Sequence, residues 1–190
     1  MKAPISHKLS SALTLACAVA FSASAQAGDF ELQLSDDSVY AEVSSPDSTP
    51  MRFSAGYLYH EDSRNVMNLD FHAQNKSSFQ GNDTHVGLGM KGIGYHEHNL
   101  DGLGMGLGGF GEIELNQVPG LSLGGSLHYS PSILTFSDVD DFLWLEAYSN
   151  YAVMPNAAVQ FGYRYIKADM EEGKDRSLES SAFLGIRFQF

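Results

Sequence analysis

The sequence predicts an all-β protein, an antiparallel up-and-down transmembrane barrel of the outer-membrane type. Three observations carry the prediction. Apolar residues alternate with small or polar ones at period two along most of the chain. A secretion signal stands in front of these strands. The last strand alternates Ala182, Leu184, Ile186, Phe188 and Phe190, and ends on that phenylalanine.

The signal comes first in the chain. Lys2 and Lys8 make a positive start, and Leu9 to Phe21 is mostly apolar. Ala25-Gln26-Ala27 offers small residues where a signal peptidase reads, so Sec-type export with cleavage after Ala27 is expected. The domain plan is then 1–27 signal, 28–50 an N-terminal segment and 51–190 the main barrel strands. Lipoprotein processing at Cys17 fits less well, because Thr14-Leu15-Ala16 lacks the usual leucine three residues upstream. Cys17 is the one cysteine, so residues 28–190 hold no disulfide, thiolate nucleophile or cysteine metal site.

Composition narrows the classes further. Eleven Lys+Arg face 23 Asp+Glu, a formal net charge of −12, which grows when Lys2 and Lys8 leave with the signal. That sign is wrong for gripping nucleic acid. No apolar run long enough for a membrane-spanning helix follows the signal. Mean hydropathy is −0.17, a value typical of a soluble protein.

Eight segments alternate strongly. Residues 51–60 set Phe53, Ala55, Tyr57 and Tyr59 against Arg52, Ser54, Gly56 and His60, with Leu58 out of pattern. Residues 65–74 set Met67, Leu69, Phe71 and Ala73 against Asn68, Asp70 and His72. Residues 84–97 set Val86, Leu88 and Met90 against His85, Gly87, Gly89 and Lys91. Residues 101–115 set Leu103, Met105 and Leu107 against Gly104, Gly106 and Gly108, then Ile113 against Glu112 and Glu114. Residues 120–129, 141–153, 156–168 and 178–190 repeat the scheme, with Ser122, His128, Glu146, Tyr148, Arg164, Gly185 and Arg187 on the polar side. Turn signals separate them at 60–64, 75–83, 99–102, 116–120, 130–141, 155–156 and 170–176. Most segments reach the 9–11 residues that cross a hydrocarbon core when tilted.

Period two alone suits a soluble sandwich as well as a barrel. The apolar chain end favours the barrel, since exposed apolar strand ends are otherwise avoided. Parity agrees, because eight strands return the chain to the side from which it started. Residues 29–45 read as a short hairpin, either a plug-like segment or two partial strands that raise the count to ten. Eight is the favoured count.

The polar faces then meet inside the barrel. Asp70, Glu112, Glu114 and Glu146 stand against Arg52, Lys91, Arg164 and Arg187, four acids to four bases, and buried charges need such partners. Phe188 and Phe190 are the expected signal to the barrel assembly machinery.

Several stretches resemble the YfaZ family of small outer-membrane proteins. They are Leu34-Ser35-Asp36-Asp37-Ser38, Gly56-Tyr57-Leu58-Tyr59-His60-Glu61-Asp62, Leu107-Gly108-Gly109-Phe110, the run Tyr129 to Asp138, Phe161-Gly162-Tyr163-Arg164-Tyr165 and Leu184-Gly185-Ile186-Arg187-Phe188. The Tyr-x-Pro-Ser stretch at 129–132 is the most specific. The resemblance implies a secreted precursor and an outer-membrane barrel, and supplies no catalytic residues.

Enzymatic motifs are weak. His128 and Ser130 share a face, an arrangement that small lipid A deacylases use with a nearby acid, here Asp140, Asp141 or Glu146. Pro131 stands where those enzymes carry asparagine, so a lumen histidine is the favoured reading. His96-Glu97-His98 at an outer turn lacks a third metal ligand of suitable spacing. Glu112 and Glu114 read as salt-bridge members rather than an acid–base pair. The glycines of 102–111 lack the Lys-Ser/Thr of a phosphate loop and leave room for Phe110, Trp144, Tyr148 or Phe183 to fill the lumen.

The outer connections hold twelve acids: Glu61, Asp62, Glu97, Asp101, Asp138, Asp140, Asp141, Asp169, Glu171, Glu172, Asp175 and Glu179. Divalent cations are expected to bridge this rim to outer-membrane lipids and lipopolysaccharide. The expected function is structural or surface-binding with no catalytic site, metal or cofactor. A small pore and a lipid A-modifying hydrolase are the alternatives. In cell fractionation the protein should sediment with outer membranes and run at a different gel mobility when unheated. A soluble protein without that shift would contradict the barrel.

Overall fold

A strand with one apolar and one polar face must turn one of them to each environment, and in lipid it must also hydrogen-bond both edges. The structure, a computed structural model, describes residues 28–62, 64–97, 100–137, 139–170 and 175–190, and meets both demands by closing one sheet on itself. The signal segment and its cleavage site lie outside the described residues. The elements are β1 (Asp29–Leu34), β2 (Ser38–Ser44), β3 (Met51–His60), β4 (Arg64–Phe79), β5 (Asn82–Glu97), β6 (Leu100–Glu114), β7 (Leu121–Ser130), a 3₁₀ turn at Ser132–Leu134, β8 (Thr135–Ser137), β9 (Val139–Met154), β10 (Ala157–Met170) and β11 (Asp175–Gln189). Among the described residues no helix is long and apolar enough to cross a membrane.

Neighbours in sequence pair antiparallel around the wall, and β1 pairs with β11 to close it. Phe30 stands opposite Phe188 and Leu32 opposite Ile186. Gly28 and Phe190 exchange backbone hydrogen bonds of 2.7 and 3.0 Å. β8 is the extra strand. It lies on β6 at Gly102–Gly104, beyond the stretch from Leu107 to Glu114 that β7 covers.

The wall therefore has ten strands rather than eight. The hairpin at 29–45, with strands of 6 and 7 residues, is inserted between β11 and β3. It is too short to show the long alternation that marks the others, yet its backbone edges are needed to complete the ring. The β4–β5 hairpin is taller than its sequence suggests. Its strands continue through the polar 75–79 stretch to a two-residue turn at Gln80-Gly81, both with positive φ.

The outer surface is apolar. Leu69, Leu88 and Phe161 are 68%, 76% and 61% exposed, and they belong to a belt with Phe53, Leu184 and Phe188. Such a belt would be untenable in water and matches the lipid-facing band of a membrane barrel.

Inside, the alternating glycines face bulky partners. A Cβ on Gly87 would lie 2.3 Å from the Phe110 ring, one on Gly124 2.6 Å from Tyr148, and one on Gly162 2.5 Å from Phe183. Small and large residues thus interlock across the bore. Gly162→Val should destabilise the barrel by about 1–3 kcal/mol, because the backbone carbonyl of Ala147 also lies 2.6 Å from the added carbon. Urea unfolding followed by the single Trp144 measures this.

Candidate functional site: the barrel lumen

The interior has two zones. Near the end opposite the termini, Leu58, Val66, Ile93, Tyr95, Phe142, Ile166, Ala168 and Leu178 form one buried cluster with Tyr40 and Trp144. Leu58, Ile93, Phe142, Ile166 and Leu178 have no exposed surface at all. Each lies close to the end of its strand away from the termini, so chain position sets them at a common level across the bore.

Below that level the bore is charged. Lys91 Nζ lies 2.6 Å from Asp70 Oδ2 and 4.3 Å from the centre of a Trp144 ring. Asp70 also accepts hydrogen bonds from Ser54 and Asn68. Arg164 Nε lies 3.3 Å from Glu146 Oε2, while its guanidinium stacks 4.0 Å from the Tyr40 ring and 5.1 Å from Phe183. Cations over aromatic faces gain attraction where water is scarce. Gln33 Nε2 donates to Gln160 Oε1 at 2.7 Å, tying β1 to β10 across β11.

Arg187 is the hub. Its Nη2 is 2.9 Å from Asp29 Oδ2, its Nη1 3.1 Å from Glu112 Oε2 and its Nε 3.3 Å from Glu31 Oε1. Glu112 accepts further bonds from Ser122, Tyr148 and Asn150. Arg52 reaches Asp47 Oδ1 at 2.8 Å, with Glu42 and Asp29 at 3.8 and 3.9 Å. Asp47 comes from the 45–50 connection, which folds inward at the end bearing the termini. Gln74 holds it by donating to Thr49 O at 2.6 Å.

The four bases expected in the lumen all lie there, as do Asp70, Glu112 and Glu146. Two points need correction. Glu114 is exposed at the terminal mouth and joins no ion pair among the described residues. The four-to-four balance omits Asp29, Glu31, Glu42 and Asp47, which the inserted hairpin and its connection deliver to Arg52 and Arg187. The described network is acid-rich.

A cavity of about 70 Å³ lies within this zone, lined by Arg52, Asp70, Lys91, Phe110 and Trp144 among others. A second, of about 380 Å³, lies at the mouth beside Glu114, Asn116, Asn150 and Gln189. Glu112 and Arg187 line both, so the spaces adjoin.

The expected chemical motifs fall as follows. His128 Nε2 lies 2.7 Å from His72 Nε2, and Ser130 Oγ is buried without a hydrogen-bond partner. Glu146 is engaged with Arg164, and Asp141 accepts from Tyr129 on the surface. The described contacts assemble no Ser-His-acid relay. His98 and the side chain of Glu97 lie outside the described residues. Glu179 is no solvated rim acid. It is 3% exposed and accepts a 2.9 Å bond from Ser38.

A closed wall of ten long or inserted strands, apolar outside and charged within, defines an outer-membrane β-barrel. A family model described as "YfaZ precursor" matches residues 7–190, and the chain belongs to that family. No curated protein matches it. Among solved structures it is similar to a KdgM porin at 11% identity, covering 86% of this chain and 99% of that one, with a TM-score of 0.47. The KdgM porin in complex with disordered oligogalacturonate gives 11%, 86%, 99% and 0.46. The outer membrane channel DcaP of Acinetobacter baumannii gives 9%, 84%, 62% and 0.33.

Lys91→Met should cost about 3–5 kcal/mol by leaving Asp70 buried beside no cation. The double variant Lys91→Met/Asp70→Leu should recover much of that loss. The urea midpoint of the heat-modifiable gel shift checks both.

Proposed function

We propose that the protein is a non-enzymatic barrel that acts through its end surfaces, with a lumen closed to through-passage. The observation that carries this reading is the buried layer of Leu58, Ile93, Phe142, Ile166 and Leu178, which interrupts the polar bore at one end. An ion crossing that layer would shed its water without receiving polar ligands in return. The charged zone beneath is cross-linked by Arg187 and Arg52 and serves to hold the strands in register.

The exposed Glu61 and Asp62 at the outer end suit divalent-cation bridges to lipopolysaccharide phosphates. Export as a precursor cleaved after Ala27 fits the pairing of Gly28 with Phe190, since the wall then begins at the new amino terminus. Phe188 and Phe190 on the closing strand serve as the signal for barrel assembly.

The second reading is a narrow pore. Ten strands enclose more room than eight, and the charged side chains that line the interior favour it. Planar-bilayer recording separates the two. The wild type should give no steady conductance, and Phe142→Ala/Ile166→Ala should open one by removing the apolar layer. Steady single-channel conductance from the wild type would overturn the closed reading in favour of the pore.

A further inference from the structure

We propose that Asp37, His60 and Glu179 form a binding site for a transition-metal ion of the Zn²⁺ type at the outer end of the wall. One ligand atom from each residue lies within 4.8 Å of the others. They come from three places in the sheet: the β1–β2 turn, the last residue of β3 and the outer part of β11. An ion there would tie the inserted hairpin to both of its flanking strands.

The spacing suits one small ion. His60 Nε2 and Asp37 Oδ2 are 3.0 Å apart. Two ligands of a tetrahedral zinc, each at about 2.0–2.2 Å, stand roughly 3.3 Å from one another. One imidazole and two carboxylates form a donor set that zinc accepts, and the imidazole favours it over Ca²⁺ or Mg²⁺. Asp37 has a side chain 41% exposed, so one side of the cluster remains open to solvent for entry and for a water ligand.

A second observation points to a ligand. Glu179 is 97% removed from solvent, and only one of its oxygens is used. Oε1 accepts from Ser38 Oγ at 2.9 Å and from Ser181 Oγ. Oε2 is buried with no hydrogen-bond partner. An idle carboxylate oxygen in such a place is costly, and a cation satisfies it. The two serines orient the carboxylate, as outer-shell groups do around metal ligands.

Arg64 is a cationic neighbour of the cluster. Its Nη2 lies 2.8 Å from His60 Nε2. It also holds Asp62 at 3.2 Å and donates to Ser177 O at 3.1 Å, so it keeps partners when an ion takes the imidazole.

The test is zinc chloride titrated calorimetrically into the full barrel in detergent, after removal of metal by chelation. One saturable site per chain is expected. His60→Ala and Glu179→Gln should each weaken it by about tenfold or more, while Arg64→Ala should bind at least as tightly as wild type. Each variant must retain the heat-modifiable gel shift, and Asp37→Asn serves as the alternative should Glu179→Gln fail to fold. Zinc should also raise the temperature at which the wild-type gel shift is lost, and leave His60→Ala unchanged. No saturable zinc uptake by the wild type would overturn the site. So would equal affinity in the folded His60→Ala barrel, which would send the ion to other histidines. Displacement of zinc by equimolar Ca²⁺ would overturn the imidazole-bearing assignment.

Discussion

Closure of the backbone ladder is the constraint that the rest of the molecule obeys. In hydrocarbon an open strand edge leaves N–H and C=O groups with no partner, so the sheet must meet itself. The meeting line runs between β1 and β11, the first and last strands. Those strands are unequal, 6 residues against 15. β1 is paired with β11 at every one of its residues, from Asp29 opposite Gln189 to Leu34 opposite Leu184, and the other edge of β11 is held by β10. Closure with ten strands then fixes the bore, and the bore fixes how much side chain must fill it.

The filling follows two different rules along the axis. Near the termini, charge is compensated by charge, and single arginines serve several acids at once. Arg187 binds groups from β1, β6 and the 45–50 connection, so it links opposite sides of the ring. Near the other end, aromatic and aliphatic groups fill the bore, and Tyr40 at the edge of that cluster donates to Glu42 and Asn68. Trp144 stands at the boundary. Its ring contacts Tyr40 above and receives the Lys91 ammonium below, so it is an apolar filler and a cation partner together.

Much of the wall was legible because alternation survives wherever one face meets lipid. Met67, Leu69 and Phe71 pointing away from Asn68, Asp70 and His72 required no three-dimensional information. The inserted hairpin was less legible. Six- and seven-residue strands carry too few repeats to distinguish wall from plug, and only pairing with β11 and β3 decides. The lumen charges were misjudged for the same reason, since Asp29, Glu31 and Glu42 enter the bore only if the hairpin is wall. The apolar layer left a signal that period two hides. Leu58 between Tyr57 and Tyr59, Phe142 beside Leu143 and Ile166 beside Tyr165 break the alternation near strand ends on one side of the barrel. Such breaks mark inward apolar groups. Glu179 looks like a rim acid in the sequence, between polar serines and close to acidic residues, whereas its burial comes from β2 through Ser38.

On the proposed closed lumen, the apolar layer makes the interior electrically one-sided. Ions on the side of the termini reach Glu112 and Arg187 through the mouth and screen them over a Debye length of about 8 Å at physiological salt. Ions on the other side would have to pass Phe142, Ile166 and Leu178, which offer them no polar ligand. On that proposal the Arg187 network takes its ionic environment from a single compartment, and a change of salt in the other leaves its strength unaltered.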